Sequence, residues 1–354
     1  MHRALSAIAV TLVTGTALLL AGCSSSPPQT AGQGPTTVRL LTHDSFVVSK
    51  ALIEQLKHDT GITLEVSSAG DAGSMVAGAV LAAGSPSADV LFGVDNTLVS
   101  TAVDAGVFAP FTASDASALL PALQQDTSGG LVTPIDYGDV CINLDDSWFA
   151  EHRLARPTSL DQLTTPAYRN LLVVEDPATS SPGLAFLLAT IARYGDGWQR
   201  YWQALERNGV QVSGSWTDAY ESAFSAGSGT RPMVVSYATS PPAEIVYAGD
   251  PKPTRPSTSV LTDGCYRQVE YAGVLKGTAD EAAAGTVVDW LLSAPVQADV
   301  PLSMFVFPAR SGTPLPDVFT KFAAVVPNPS QLPATEVAAN LRTWLADWGT
   351  VMGR

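Results

Sequence analysis

From residue 38 onward, short apolar runs alternate with segments whose apolar positions recur every three or four residues. That is the pattern of buried strands alternating with amphipathic helices. Residues 38–42 read as a strand. Asp44 and Ser45 stand where they would cap a helix over 46–59 that Gly61 closes, and 62–66 reads as the next strand. A second round follows: a helix through 75–81, a strand over 88–94, and Asp95-Asn96 capping a helix to about residue 105. The middle of the chain repeats this order, with strands at 170–175 and 233–237 and helices at 184–194 and about 198–205. A strand over 269–275 and helices at 287–292 and 335–348 close the pattern. It predicts an α/β fold of two lobes, each a mostly parallel sheet flanked by helices, with ligands gathering at the carboxyl ends of the strands.

The first residues break the pattern. An uncharged run from Ala4 to Leu18 behind Arg3 ends in Leu19-Leu20-Ala21-Gly22-Cys23. It is shorter than the ~20 residues that span a bilayer and ends in small residues, as a cleaved lipoprotein signal does. Residues 1–22 are then a signal peptide, Cys23 is the lipidation site, and 23–37, rich in Ser, Pro, Gly and Gln, is a flexible tether. The alternative is an uncleaved anchor helix with an incidental cysteine. The rest divides into a first lobe (38–137), a second lobe (138–267) and a return to the first lobe with C-terminal helices (268–354). An extracytoplasmic monomer, held at the outer face of the cell membrane by lipid, is expected.

The chain has 354 residues, more than one core usually serves, and a formal charge of −14. That charge argues against nucleic acid or anionic lipid as a partner and suits a cationic or zwitterionic ligand. Only 15% of residues are charged, while Gly 29 and Pro 25 imply many tight turns. Once Cys23 is lipidated, Cys141 and Cys265 remain as a pair for which an oxidising compartment favours a disulfide. Two unpaired buried thiols are the alternative.

Chemistry-bearing groups are few. Thr179-Ser180-Ser181-Pro182-Gly183 opens a helix, with hydroxyls to cap it and exposed N–H groups to receive an anion. Capping alone explains such a sequence as well. Trp216, Tyr220 and Tyr237 lie in or beside loops that follow strands, where they offer stacking and cation–π surfaces, helped by carboxylates such as Asp44 and Asp95. Phe305 and Phe307 fit either a site or a strand core. His43, His58 and His152 match no metal-ligand spacing and no nucleophile elbow. No cofactor, metal or catalytic residue is expected, and a secreted hydrolase using Ser180 or Ser181 lacks a general base.

Several stretches, in order, resemble the periplasmic thiamine-binding proteins of ABC importers, within the wider solute-binding class that also serves iron(III) and organophosphonates. They are Thr42-His43-Asp44-Ser45-Phe46, Ala88-Asp89-Val90-Leu91-Phe92-Gly93-Val94-Asp95-Asn96, Pro134-Ile135-Asp136-Tyr137-Gly138, Asp176-Pro177-Ala178-Thr179-Ser180-Ser181-Pro182-Gly183, Trp216-Thr217-Asp218-Ala219-Tyr220, Ser236-Tyr237-Ala238-Thr239-Ser240-Pro241, Tyr266-Arg267-Gln268-Val269-Glu270 and Trp344-Leu345-Ala346-Asp347-Trp348. The resemblance implies two lobes closing over one ligand, thiamine, a thiamine phosphate or a similar small heteroaromatic cation, handed to ABC permease subunits. An organophosphonate or other phosphate ester is the alternative. It implies ligand contacts at Asp44, Ser45, Asp95, Asn96, Tyr137, Ser180, Ser181, Trp216, Tyr220, Tyr237, Thr239, Ser240 and Phe305. It also places 136–138 and 266–270 at the hinge, which would bring Cys141 near Cys265. The chain departs from the family pattern at His43, Ala243 and Phe305, where aromatic Tyr, Tyr and Trp are usual.

Overall fold

The computed structural model describes residues 36–354. The leader, Cys23 and all but the end of the tether lie outside the described residues.

The first half is built on β1 (Thr37–Thr42), which pairs in parallel with β2 (Thr63–Ser68) and β3 (Val90–Asp95). Helices α1 (Lys50–Thr60) and α2 (Ala72–Leu81) connect them, and α3 (Val99–Asp104) follows β3. The second half repeats the scheme: β5 (Leu172–Glu175) pairs in parallel with β6 (Gln211–Ser213) and β7 (Met233–Tyr237). Helices α5 (Ser181–Tyr194) and α6 (Trp198–Arg207) link β5 to β6. Strands β3 and β5 are buried at every position, as parallel strands covered on both faces must be.

Two long antiparallel strands join the halves, the first of them leading straight into the short helix α4 (Asp146–Glu151). β4 (Thr133–Asp145) and β8 (Thr258–Val274) pair from Thr133 with Ala272 to Asp145 with Thr258, and the continuous order is β2-β1-β3-β8-β4-β7-β5-β6. β3 leans on β8 and β7 on β4, so each half is anchored to one of the shared strands. The fold is the two-lobed α/β arrangement expected from the pattern. Cys141 of β4 and Cys265 of β8 form a disulfide between buried residues, Cα atoms 4.4 Å apart, beside the register shift between Val140 and Ile142.

After β8 the chain forms α8 (Glu281–Leu291), which packs on β1, β3 and β8, and α9 (Ala294–Ser303). The last helix, α11 (Ala334–Met352, the short α10 at Asp317–Phe322 preceding it), lies against α6 as well as α3. Trp348 meets Trp202 of α6 edge to face at 5.6 Å.

Two expected helix starts are wrong, and one of them is α3, which begins at Val99 with Leu98 at its cap and not at Asp95-Asn96. Asp44 and Ser45 cap no helix: α1 starts at Lys50, and Gly61 closes it in the left-handed conformation as expected. Residues 46–49 are drawn off instead by long-range partners, Val47 N donating to Met304 Sδ at 3.1 Å and Ser49 N to Asp299 at 3.0 Å. Tertiary contacts override the local capping signal there.

Candidate functional site

A cavity of about 540 Å³ opens where the two halves face each other over β8. From the first half come the turn after β1, with His43, Asp44 and Ser45, and the start of α2, with Asp71 and Ala72. From the second come Ser181 and Pro182 at the start of α5, Trp216, Thr217 and Tyr220 after β6, and Tyr237 and Ser240 at the end of β7. Gln268 and Glu270 of β8 form the floor, and Met304 and Phe305 close one side.

The aromatic wall is held from within the second half. Trp216 and Tyr220 stack on each other, ring centres 5.0 Å apart, and the indole N–H of Trp216 donates to Ser236 Oγ at 3.0 Å. Ser236 in turn shares a 2.9 Å hydrogen bond with Ser240. Tyr237 lies over Gly138, where any Cβ would meet its ring at 2.7 Å, so β4 needs glycine for the ring to reach the cavity. Tyr247, one helical turn beyond Ala243 on α7 (Pro242–Val246) and its cap, meets Phe305 edge to face at 5.4 Å. Phe305 itself holds a left-handed φ of 54°. That rare backbone for a large side chain is the kind of local strain found at ligand sites.

The floor is acidic. Asp136 of β4 faces Glu270 across the ladder, both buried, with burial pushing Asp136 up to about 7 and Glu270 well above the usual carboxylate range. His43 Nε2 stands 3.5 Å from Glu270 Oε1, near enough for charge to act but without hydrogen-bond geometry. The same His43 donates to or accepts from Ser45 Oγ at 2.9 Å, and its ring covers Gly93, whose φ of 97° and missing Cβ make room for it. Asp71 caps α2 by accepting from Ala72 N at 2.6 Å and reaches across to accept from Trp216 N at 2.8 Å. Burial raises both Asp71 and Asp44. Among the described residues lining the cavity, Asp44, Asp71, Glu221 and Glu270 are acidic, His43 is the one basic side chain, and Lys and Arg are absent.

Asp44, Ser45, Ser181, Trp216, Tyr220, Tyr237, Ser240 and Phe305 therefore meet around one space. The other expected contacts lie elsewhere. Tyr137 points to the opposite face of β4 from Asp136 and Gly138, stacked on Phe307 at 5.2 Å with the Arg267 guanidinium 5.0 Å above its ring. Asn96 pins β8 by donating to Arg267 O and accepting from Val269 N. Thr239 is buried with its hydroxyl unpartnered, away from the cavity lining. Ser180 is buried at the cap of α5, within electrostatic reach of Asp71 but without hydrogen-bond geometry.

Asp95 is fully buried one layer behind the lining. Its Oδ1 accepts from Thr97 N at 3.0 Å, Leu98 N at 3.1 Å and Thr97 Oγ1 at 2.6 Å, and its Oδ2 takes the hydroxyl of Ser181.

Site residues outside the expected set are His43, Asp71, Thr217, Tyr247, Gln268, Glu270 and Met304. Gln268 and Glu270 had a readable signal, since two polar residues on one face of an otherwise apolar strand are out of place in a core. Tyr247 had none: it follows a five-residue helix between prolines and turns.

Residues 85–329 match the family model described as bacterial extracellular solute-binding protein. The thiamine-binding periplasmic protein of Brucella suis biovar 1 (strain 1330) is 28% identical over 326 residues, 90% of this chain and 92% of that one. The Escherichia coli (strain K12) protein of the same name is 30% identical over 269 residues, 75% of this chain and 77% of its own. A solved periplasmic thiamin binding protein superposes with a TM-score of 0.78 at 25% identity, covering 90% of this chain and 96% of that chain. With a matched segment that runs from before β3 to beyond α10, the chain belongs to the bacterial extracellular solute-binding proteins.

Proposed function

We propose that this protein captures thiamine, or a close heteroaromatic cation, between its two lobes and delivers it to the permease of an ABC importer. The observation that carries this reading is the composition of the cavity: stacked aromatic rings over buried carboxylates, with no lysine or arginine among the described lining residues to attract an anion. A flat ring gains area from Trp216 and Tyr237 and cation–π attraction from their faces, while Asp44, Asp71 and Glu270 neutralise a fixed positive charge. The names of the relatives agree with it. Bridging both lobes, the ligand would select the closed state, and nothing in the reading requires a bond to be made or broken. Lipid on Cys23 would hold the protein beside its permease.

Titration of the purified protein with thiamine, thiamine phosphate and aminoethylphosphonate, followed by tryptophan fluorescence, tests this. Saturable binding of thiamine with no response to the phosphonate is the expected result; binding of the phosphonate alone would replace the reading by an anion-binding one. Radiolabelled palmitate incorporated in cells by the native chain and not by Cys23→Ala checks the anchor.

A further inference from the structure

Gln268 stands on the floor of the cavity with 1% of its surface exposed and its Oε1 without a partner. A buried acceptor left unmade is expensive, so this atom waits for a donor from whatever fills the cavity. Why the oxygen and not the amide nitrogen is left without a partner follows from the groups behind it. Gln268 Nε2 donates to Ser181 Oγ at 2.6 Å. Ser181 spends its single proton on Asp95 Oδ2. Asp95 receives only donors, two of them backbone N–H groups that cannot reverse. Each link has one allowed direction, and the last leaves the Gln268 carbonyl as the free acceptor at the cavity floor.

We propose that Asp95, Ser181 and Gln268 form a relay of fixed polarity that presents one acceptor to the ligand, and so selects rings bearing an amino group over the same rings bearing oxygen there. The inference rests on the function proposed above and names the ligand chemistry of that same site. Asp95 and Ser181 act here as positioning residues. A site that hydrogen-bonds an N–H rejects the analogue lacking it, because its buried acceptor then faces another acceptor.

The test is isothermal titration of the wild-type protein at pH 8 with thiamine and with oxythiamine, in which oxygen replaces the ring amino group. Burial pushes Asp95 up to about 6, so it is ionised there. Thiamine should bind about tenfold more tightly or better. Asp95→Asn should reverse the preference. Its carbonyl must stay with Thr97 N and Leu98 N, its amide must then donate to Ser181, Ser181 must donate to Gln268 Oε1, and Gln268 Nε2 turns to the ligand. Ser181→Ala, which cuts the relay, should bring the two affinities to within about threefold. Loss of fold cannot produce a reversed preference, and should Asp95→Asn fail to fold, Ser181→Ala decides. A wild type that binds both rings equally, or an Asp95→Asn or Ser181→Ala protein that keeps the wild-type ratio, overturns the relay alone. A wild type that binds neither ring overturns the proposed function and the relay with it.

Discussion

The wall and the floor of the cavity are made by different rules. Trp216 and Tyr220 come from a short helical turn after β6, Tyr247 from the cap of α7 and Phe305 from the turn after α9, and what they offer is area and a π face, which many flat ligands can use. Gln268 and Glu270 come from β8, a strand shared by both halves, where the register sets Glu270 opposite the buried Asp136 of β4 and a hydrogen bond ties Gln268 to Ser181. Area tolerates exchange. Ala243 leaves one usual aromatic position empty, yet Tyr247 brings a ring to the same side one turn later. Polarity does not tolerate exchange in the same way, because a single reversed hydrogen bond changes which ligand fits.

The largest effect should come from loosening the frame under the floor. The disulfide closes a loop of sequence separation 124, and replacing Cys141 and Cys265 together by Ser should cost about 2–5 kcal/mol of stability. Thermal melting under oxidising conditions should show a fall of several degrees; an unchanged melting temperature would mean that β4 and β8 hold their register without it.

Next in size is the wall. Trp216→Ala removes the ring stacked on Tyr220 and should weaken thiamine by about 1–3 kcal/mol, roughly ten- to a hundredfold in affinity. Because the indole also bonds Ser236, Trp216→Phe separates the two contributions: it should recover most of the loss if area matters. Calorimetry gives both numbers. A Phe variant as weak as the Ala variant would move Trp216 from the area side of the comparison to the polar side.

The contrast also explains what could be read from the sequence. Strand and helix order was legible because parallel strands buried on both faces, such as Val90–Asp95 and Leu172–Glu175, must be apolar runs, and the helices between them carry one apolar face. The wall was legible in part, since Trp216 and Tyr220 follow a strand, although the expected loop there is a short helical turn. Helix α1 was misplaced because Ser49 and Val47 answer to Asp299 and Met304, some 250 residues away, and no local rule contains that contact. Tyr137 was expected among the ligand contacts, but alternation on a strand sends it to the far face, against Phe307. Asp95 was expected among the ligand contacts, while its place behind Ser181 depends on how β3 and α5 meet, which only packing decides.

The smallest effect, and the one that isolates the floor, is the response to pH. Folding raises Asp95 to about 6 and Asp136 to about 7 from a usual value of 3.8, and it raises Glu270 and Glu175 well above theirs, in every case chiefly by burial. Between about pH 4 and 7 the folded, empty protein therefore binds more protons than the unfolded chain. Its stability is greatest when these groups are protonated, and falls as pH rises through about 6 and about 7. A bound cation reverses the preference at the floor, since it favours ionised Glu270; capture then releases protons, and affinity should rise from pH 5 to pH 8. The two slopes are opposite in sign. Melting temperatures should increase on acidification from pH 8 toward 5 while thiamine affinity drops, each tenfold difference in proton affinity carrying about 1.4 kcal/mol. Glu270→Gln should lower affinity at pH 8 by about 1–2 kcal/mol and flatten the affinity profile, because the charge that responds to pH is gone. Trp216→Ala should lower affinity equally at every pH, because a ring has no proton to lose. If Glu270→Gln keeps the wild-type slope, the carboxylates that sense the ligand are Asp44 and Asp71 on the rim of the first half, and β8 supplies orientation alone.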